Sequence, residues 1–442
     1  MTSWIATLLA LAVVGSLALV ALVTVGSLWW ASRSERAARS DLSYARKSGA
    51  QPASLHPKID LGKCIGSGSC VAVCPEKDVL ALIDGKAVLA NPTSCIGHGE
   101  CLRACPVDAI ELVLGTARRG VDIPLVSASF ETNVPGIHVV GELGGMGLVY
   151  NAMTQGLQAM TAIGQGLPPR VAGVRQVLIV GAGPAGLAAT LKAHELGLDY
   201  DTVDQETMGG TVLQYPRHKI VMTRPVTLPL YGALRVTEVR KEALLAKWQE
   251  IHDRTGIRAQ RREGGGGVAR RRRRVRGADQ RGPVRAQRVV LALGGGLPRK
   301  LGIPGEALEK VTYRLLEPEG YAGKRCVVVG GGDSAVEAAV ALGEAGADVV
   351  LSYRKQAFDR IKKKNQHKLD AAVGAGRVAL LLGSEPVEIR ADAVVVKVDG
   401  AERVLGNDYV LVFAGGVLPT AFLEAAGVQV QTFRGERYAP AN

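Results

Sequence analysis

Aromatic residues are scarce in this 442-residue chain: Phe, Trp and Tyr together make up 4% of it. A surface that stacks bases interleaves rings with cations, so the scarcity argues against a nucleic-acid reader. The formal charge of +13 does not reverse that conclusion. Eleven arginines against Glu263 and Asp279 fall within residues 261–288, and the rest of the chain is close to balance. Residues 270–274 are all arginine and follow the glycines of 264–267 with no ring among them, which reads as a solvated loop. Cysteine is also sparse, seven in all, and its spacing is not that of a disulfide framework. No Lys or Arg precedes the uncharged run 4–30, so the basic start of a secretory signal is missing.

What is present points to a multidomain α/β protein. The length suffices for two or three domains with real cores, and 55 glycines suit tight phosphate-binding turns. As a helix, the run 4–30 spans a hydrocarbon core of about 30 Å. Trp29 and Trp30 stand at its end, where aromatic belts form, and Arg33, Arg36, Arg39, Arg46 and Lys47 follow. This charge bias places a single-pass anchor at the cytoplasmic face of the inner (plasma) membrane, with the C-terminal domains in the cytoplasm. Residues 32–55 read as a linker.

Six of the seven cysteines lie in two near-repeats, Cys64-Ile-Gly-Ser67-Gly-Ser-Cys70-Val-Ala-Val-Cys74-Pro and Cys95-Ile-Gly-His98-Gly-Glu-Cys101-Leu-Arg-Ala-Cys105-Pro. Each resembles the C-x2-C-x2-C-x3-C-P run of bacterial two-cluster ferredoxins, with the second cysteine replaced. The resemblance covers residues 56–116. It implies one Fe–S cluster on Cys64, Cys70 and Cys105 with Ser67 beside it, and another on Cys95, Cys101 and Cys74 with His98 beside it. Each is 4Fe-4S if Ser67 or His98 ligates, or 3Fe-4S if that corner stays open. Cys3His would suit zinc, but the duplicated spacing does not. Residues 79–83 and 109–113 are the expected apolar partner strands, with a hairpin turn at Asp84-Gly85. Cys326, in the apolar run 326–329, reads as a buried core thiol.

Two glycine-rich turns follow. An apolar strand at 177–180 leads into Gly181-Ala-Gly183-Pro-Ala-Gly186 and a helix, and the next strand ends at Asp204, a fitting ribose acid. The apolar run 326–329 leads into Gly330-Gly-Gly332-Asp333-Ser334 and a second helix. The strand after that ends in Tyr353-Arg354-Lys355, two cations where an acid would hold a 2′-hydroxyl, which favours NADP over NAD.

Two such sites resemble the thioredoxin reductase-like two-dinucleotide flavoproteins over most of residues 120–430. The resemblance implies FAD at the first site, with Gly209 and Gly210 as a flavin-side turn, and NADP(H) at the second. Gly141-Glu142 resembles the Gly-Asp pair of that group's second FAD motif, and Gln155 would start a helix near the flavin. Here the motif precedes the first dinucleotide site instead of closing the chain, a permuted order. The C-x-x-C pair of thioredoxin reductases is missing, which argues against dithiol chemistry on the protein. The Arg/Gly stretch fits the group poorly and reads as an insertion or a shifted reading frame.

The expected fold is α/β: two Rossmann-like domains (FAD and NAD(P)), a small α+β ferredoxin-like Fe–S module and one N-terminal transmembrane helix. The expected boundaries are 1–31 anchor, 32–55 linker, 56–116 ferredoxin-like domain, 117–316 FAD domain, 317–406 NAD(P) domain and 407–442 return segment to the FAD domain. The function this implies is a membrane-anchored NAD(P)H-dependent flavoprotein oxidoreductase. It would pass electrons between NADPH, FAD and two Fe–S clusters to a redox protein, a quinone or a small-molecule acceptor. No catalytic side chain is required. A low-molecular-weight disulfide reductase with auxiliary clusters and a non-enzymatic redox sensor are the alternatives. A homodimer is compatible with the resemblance; nucleic acid is not an expected partner.

Overall fold

A computed structural model describes residues 2–52, 55–145, 147–205, 208–217, 219–261, 268–271, 274–277, 284–294 and 296–437. The N-terminal helix, Thr2–Ser48, is 47 residues long. It is the one helix among the described residues long and apolar enough to cross a membrane. It does not stop at the end of the apolar run: residues 32–48, expected as a linker, continue the helix as a stalk. Their chemistry explains why. Ala38 and Ala45 are buried, Leu42 packs with Ile83 and Ala90, and Arg39 pairs with Glu35 one turn back.

The stalk rests on a small module. Leu80–Ile83 pairs antiparallel with Lys86–Leu89. Asp84 (φ 50°) and Gly85 (φ 69°) form the turn, both left-handed as a two-residue I′ hairpin demands. Residues 79–83 therefore do not partner 109–113. Ile110–Leu114 pairs instead with His56–Ile59, because a two-residue turn joins only adjacent strands and the module closes through its two ends.

The first large sheet runs in the order Gln260–Arg261, Tyr200–Asp204, Arg175–Val180, Val284–Leu291, all parallel. Ile137–Val139 lies parallel to the end of Val284–Leu291. Thus the segment out of order in sequence takes its place in the sheet. The ribbon Val268–Arg271 and Arg274–Gly277 extends the start of Val284–Leu291 antiparallel. The other residues of the Arg/Gly stretch up to 283 lie outside the described residues. Helices Val149–Gln165 and Pro184–Glu195 cover one face. Gly156 permits their close approach, since a Cβ there would lie 2.2 Å from the Ala185 carbonyl oxygen.

The second sheet is also parallel: Val311–Thr312, Tyr409–Val412, Arg325–Val329, Asp348–Tyr353, Val378–Leu382. It draws strands from both sides of 317–406, because Val410 and Leu411 bury fully beside Val327 and Val328. Beyond it the chain returns to the first sheet through Leu423 and Val428. It then goes further: Val430–Phe433 pairs with Val121–Pro124, and Glu436–Arg437 with Ile110–Leu114 of the small module. Cys326 is buried, as expected, and burial pushes its thiol up to about 11.

His138 is buried in the first sheet with Nδ1 unpartnered, and burial pushes its pKa from 6.5 down to about 4. The unfolded chain then binds the extra proton first. Stability from this group is complete above pH 6.5 and falls as pH drops towards 4. The loss is up to about 3 kcal/mol. Urea denaturation from pH 7.5 to 4.5 should show a steeper loss for wild type than for His138→Gln.

Candidate functional site

The two cysteine loops share one construction. Gly66 and Gly68 take φ 74° and 72°, and Gly97 and Gly99 take 79° and 76°, so each loop winds left-handed twice before a short helix. A Cβ on Gly66 would lie 2.1 Å from the Gly85 carbonyl oxygen, and one on Gly97 2.9 Å from that of Leu55. These loops enclose two cavities. Cys64, Cys70, Cys105 and Ser67 line one of about 310 Å³. Cys74, Cys95, Cys101 and His98 line the other, about 360 Å³. The last cysteine of each repeat thus crosses to the other repeat's cavity.

The donor chemistry fits Fe–S clusters. Three cysteine thiols line each cavity, and thiolates are the usual ligands of such clusters. Burial pushes the Cys95 thiol up to about 11 and Cys101 up to about 12, so thiolates form there only against a bound cation. The amides of Ala87 and Ala109 donate to Cys64 Sγ (3.4 Å) and Cys105 Sγ (3.2 Å). His98 and Ser67 differ. His98 is half-buried, and burial first, then the Arg224 charge, holds its pKa near 4, so the ring is neutral with a free lone pair. Ser67 is exposed, and its Oγ accepts from the Ser69 amide at 3.5 Å.

The first dinucleotide turn sits where three parallel strands end. Gly181 N–H donates to Val203, Ala292 N–H to Val180, and Val140 N–H to Leu291. Gly181 takes φ 109°, and a Cβ there would lie 2.3 Å from the Ala292 carbonyl oxygen. A Cβ on Gly186 would lie 1.7 Å from the Gly181 carbonyl oxygen. Asp204 Oδ2 accepts from the Ala182 amide and so braces the turn itself. Gly209 N–H donates to Ala182 (3.1 Å), and Gly210 lies against Gly183. The displaced motif joins this site. Gly141 N–H donates to Gln155 Oε1 at 2.7 Å, and Glu142 lies near Gly294 and Thr211. Gly141, Glu142, Gln155, Gly181, Gly183, Gly186, Asp204, Gly209 and Gly210 are therefore one neighbourhood.

The second turn differs in detail from expectation. Gly330 takes φ 147° against the Phe413 carbonyl, and Gly331 has no room for a Cβ beside the Tyr353 ring. Gly332 precedes the helix Asp333–Glu344, and Ser334 is exposed on its first turn. Asp333 Oδ1 accepts from the Lys362 amide (2.8 Å) and Asn365 Nδ2 (2.7 Å), so it holds a neighbouring helix start instead of facing open space. Lys355 pairs with Asp359, which also accepts from the Tyr353 hydroxyl. Arg354 is exposed, with no ion pair among the described residues, and is the freer cation at this strand end.

Arg224 and Glu100, which sequence reasoning passed over, connect the parts. Glu100, two residues after His98, is held down to about 2 by Arg103 and then Arg224. The Arg224 guanidinium lies 5.8 Å over the Tyr150 ring, and its Nη2 is buried without a hydrogen-bond partner. Lys219 pairs with Glu337 of the second sheet's helix at 2.9 Å. Nothing local in Thr223-Arg224-Pro225 marks this role; only the fold reveals it.

A family model described as pyridine nucleotide-disulphide oxidoreductase matches residues 178–438, and one described as a 4Fe-4S dicluster domain matches residues 56–106. A ferredoxin–NADP reductase of Ignicoccus hospitalis is 31% identical over 251 residues, 55% of this chain and 77% of that one. The bacilliredoxin reductase Bdr of Bacillus subtilis is 27% identical over 60% of this chain and 83% of its own. The solved bacillithiol disulfide reductase Bdr from Bacillus cereus superposes with TM-score 0.51 at 26% identity, covering 58% of this chain and 82% of that one.

Proposed function

Because the chain belongs to the pyridine nucleotide-disulphide oxidoreductase family, we propose that it is a membrane-anchored NADPH-dependent flavoprotein whose electrons leave through an attached pair of Fe–S clusters. When bound, FAD converts the hydride pair of NADPH into single electrons, and the clusters carry them. The observation that carries this reading is the fastening of the His98 loop, through Glu100, to Arg224, which lies over Tyr150 of the flavin-side helix Val149–Gln165. A passive appendage needs no such junction.

The chain's own residues bind and orient. Gly181, Gly183 and Gly186 open the N-terminus of helix Pro184–Glu195 to the flavin pyrophosphate. Gln155 fixes the Gly141-Glu142 turn beside it. Gly330 and Gly332 do the same for NADP(H), with Arg354 meeting the 2′-phosphate. The thiols of the two cavities hold the clusters. The helix Thr2–Ser48 anchors the assembly.

The test is anaerobic stopped-flow reduction by NADPH. Fe–S bleaching as fast as turnover supports the reading. Clusters that stay oxidised through turnover favour a disulfide reductase with auxiliary clusters. Arg354→Ala should raise KM for NADPH about tenfold, as expected for one exposed charge-assisted contact, with KM for NADH unchanged.

A further inference from the structure

The two cavities are not equivalent in their surroundings. The His98 cavity lies on the nucleotide-domain side. Its lining residue Glu100 is ion-paired to Arg224, which lies over Tyr150 in the first turn of helix Val149–Gln165. That helix also carries Gln155, the partner of Gly141.

The Ser67 cavity lies on the stalk side. Its Gly66 packs on the Gly85 carbonyl of the hairpin turn, and Lys86 Nζ donates to the Cys64 carbonyl. That same turn is gripped from the other side: Arg39 pairs with Asp84, and the Asp84 amide donates to Glu35 Oε1 at 3.1 Å. Arg39 stands nine residues beyond Trp30 in one continuous helix, about 14 Å along its axis. Ile65, which lines this cavity, is 66% exposed, and Leu61 beside it is 53% exposed. No other part of the described chain covers that face.

We infer that the His98 cavity is the inner cluster site, which receives electrons from the flavin side, and that the Ser67 cavity is the outer site, which hands them on at the membrane face. This ordering rests on the electron-transfer reading above. One NADPH gives two electrons and becomes NADP⁺ with release of one proton. The electrons pass singly from the inner to the outer site and reduce two equivalents of a one-electron carrier at the membrane surface. Arg224 acts as a positioning residue that holds the inner loop against the flavin helix.

The experiment uses the full chain in detergent, reduced anaerobically with NADPH and freeze-quenched for EPR. Ser67→Cys and His98→Cys each alter one cluster's spectrum and so assign the two signals. In wild type the signal altered by His98→Cys should appear first. In Cys101→Ala, with iron content lowered, the flavin should still bleach while the Ser67-side cluster stays oxidised. In Cys70→Ala the His98-side cluster should still be reduced. Arg224→Gln should slow cluster reduction relative to flavin bleaching, and Arg224→Lys should restore most of it. Reduction of the Ser67-side cluster first in wild type, or at the wild-type rate in Cys101→Ala, overturns the ordering. If the cysteine variants do not fold, the wild-type time course with the two assigned signals decides alone. Failure of NADPH to reduce any cluster in wild type refutes the electron-transfer reading, and with it the ordering.

Discussion

Gly186→Val is expected to yield a chain that loses most of its flavin on purification. The added Cβ would stand 1.7 Å from the Gly181 carbonyl oxygen. That carbonyl has nowhere to go, because Gly181 itself is pressed on the Ala292 carbonyl, 2.3 Å from where its own Cβ would be. The first turn of Pro184–Glu195 must therefore swing away from the strand end. Overpacking of this kind costs about 1–3 kcal/mol. Losing the aligned helix N-terminus removes up to about 2 kcal/mol more from anion binding. Since each 1.4 kcal/mol is about tenfold, flavin affinity should fall by roughly a hundredfold or more. Gly166→Ala, at the end of the neighbouring helix, meets nothing nearer than 3.9 Å and should keep its flavin. The flavin-to-protein ratio after gel filtration checks both, with circular dichroism to show that each is folded. Full flavin occupancy in Gly186→Val would mean that the first glycine turn is not the flavin site.

The parts of the fold that were legible in the sequence are those whose physics is local. The turns at Gly181 and Gly330 announce themselves because left-handed glycines, a buried strand and a helix start are contiguous in the chain. The cysteine loops are legible for the same reason, while the crossing of Cys74 and Cys105 was implied only by the resemblance to two-cluster ferredoxins. The misreadings share a different origin. Residues 32–48 look like a polar tether by composition, but Ala38, Leu42 and Ala45 recur at helical spacing, and the first two pack on a hairpin far along the chain. Asp333 and Lys355 remain candidate nucleotide residues; Asp333 also holds Asn365, far along the chain, and Lys355 pairs with Asp359 four residues on. The pairing of 110–114 with 56–59, and then with 436–437, is long-range in the same sense. The displaced Gly141 motif was legible as a motif, while its position in the first sheet depended on Ile137–Val139 finding the end of Val284–Leu291.

Beside the strand pairing of the C-terminal segment and the apolar packing of the stalk, four ion pairs link the modules. Arg39 with Asp84, Asp41 with Lys363, Glu100 with Arg224 and Lys219 with Glu337 join the stalk, the Fe–S module, the loops at 219 and 224 and the helices of the second sheet. The Arg39–Asp84 pair is exposed at both ends and is worth at most about 1 kcal/mol, and the other three are partly buried. They set orientation more than stability, which suits a molecule whose task is to hold cofactors in line.

The Ser67 site should lose iron to oxidation where the His98 site does not. The two residues fill the same slot of the same loop, so their surroundings decide. His98 is half-buried, kept neutral by burial, and sheltered under Glu100 and Arg224. A neutral imidazole is an ordinary ligand for iron. Ser67 is exposed, and its hydroxyl is a hard donor already engaged by the Ser69 amide. It holds an iron only as the alkoxide, and solvent reaches that corner directly. Brief exposure of the reconstituted chain to air should therefore produce a 3Fe-4S EPR signal. Ser67→Cys, which supplies the missing soft thiolate, should abolish that signal, and His98→Cys should leave it as strong as in wild type. Cys64 already sits in a pocket whose amides favour the thiolate, the Ala87 N–H above all, so the added cysteine joins a site prepared for that charge. A signal that survives Ser67→Cys and disappears in His98→Cys would reverse the assignment of the weak corner and overturn both grounds for it, the exposure of Ser67 and the hardness of its oxygen.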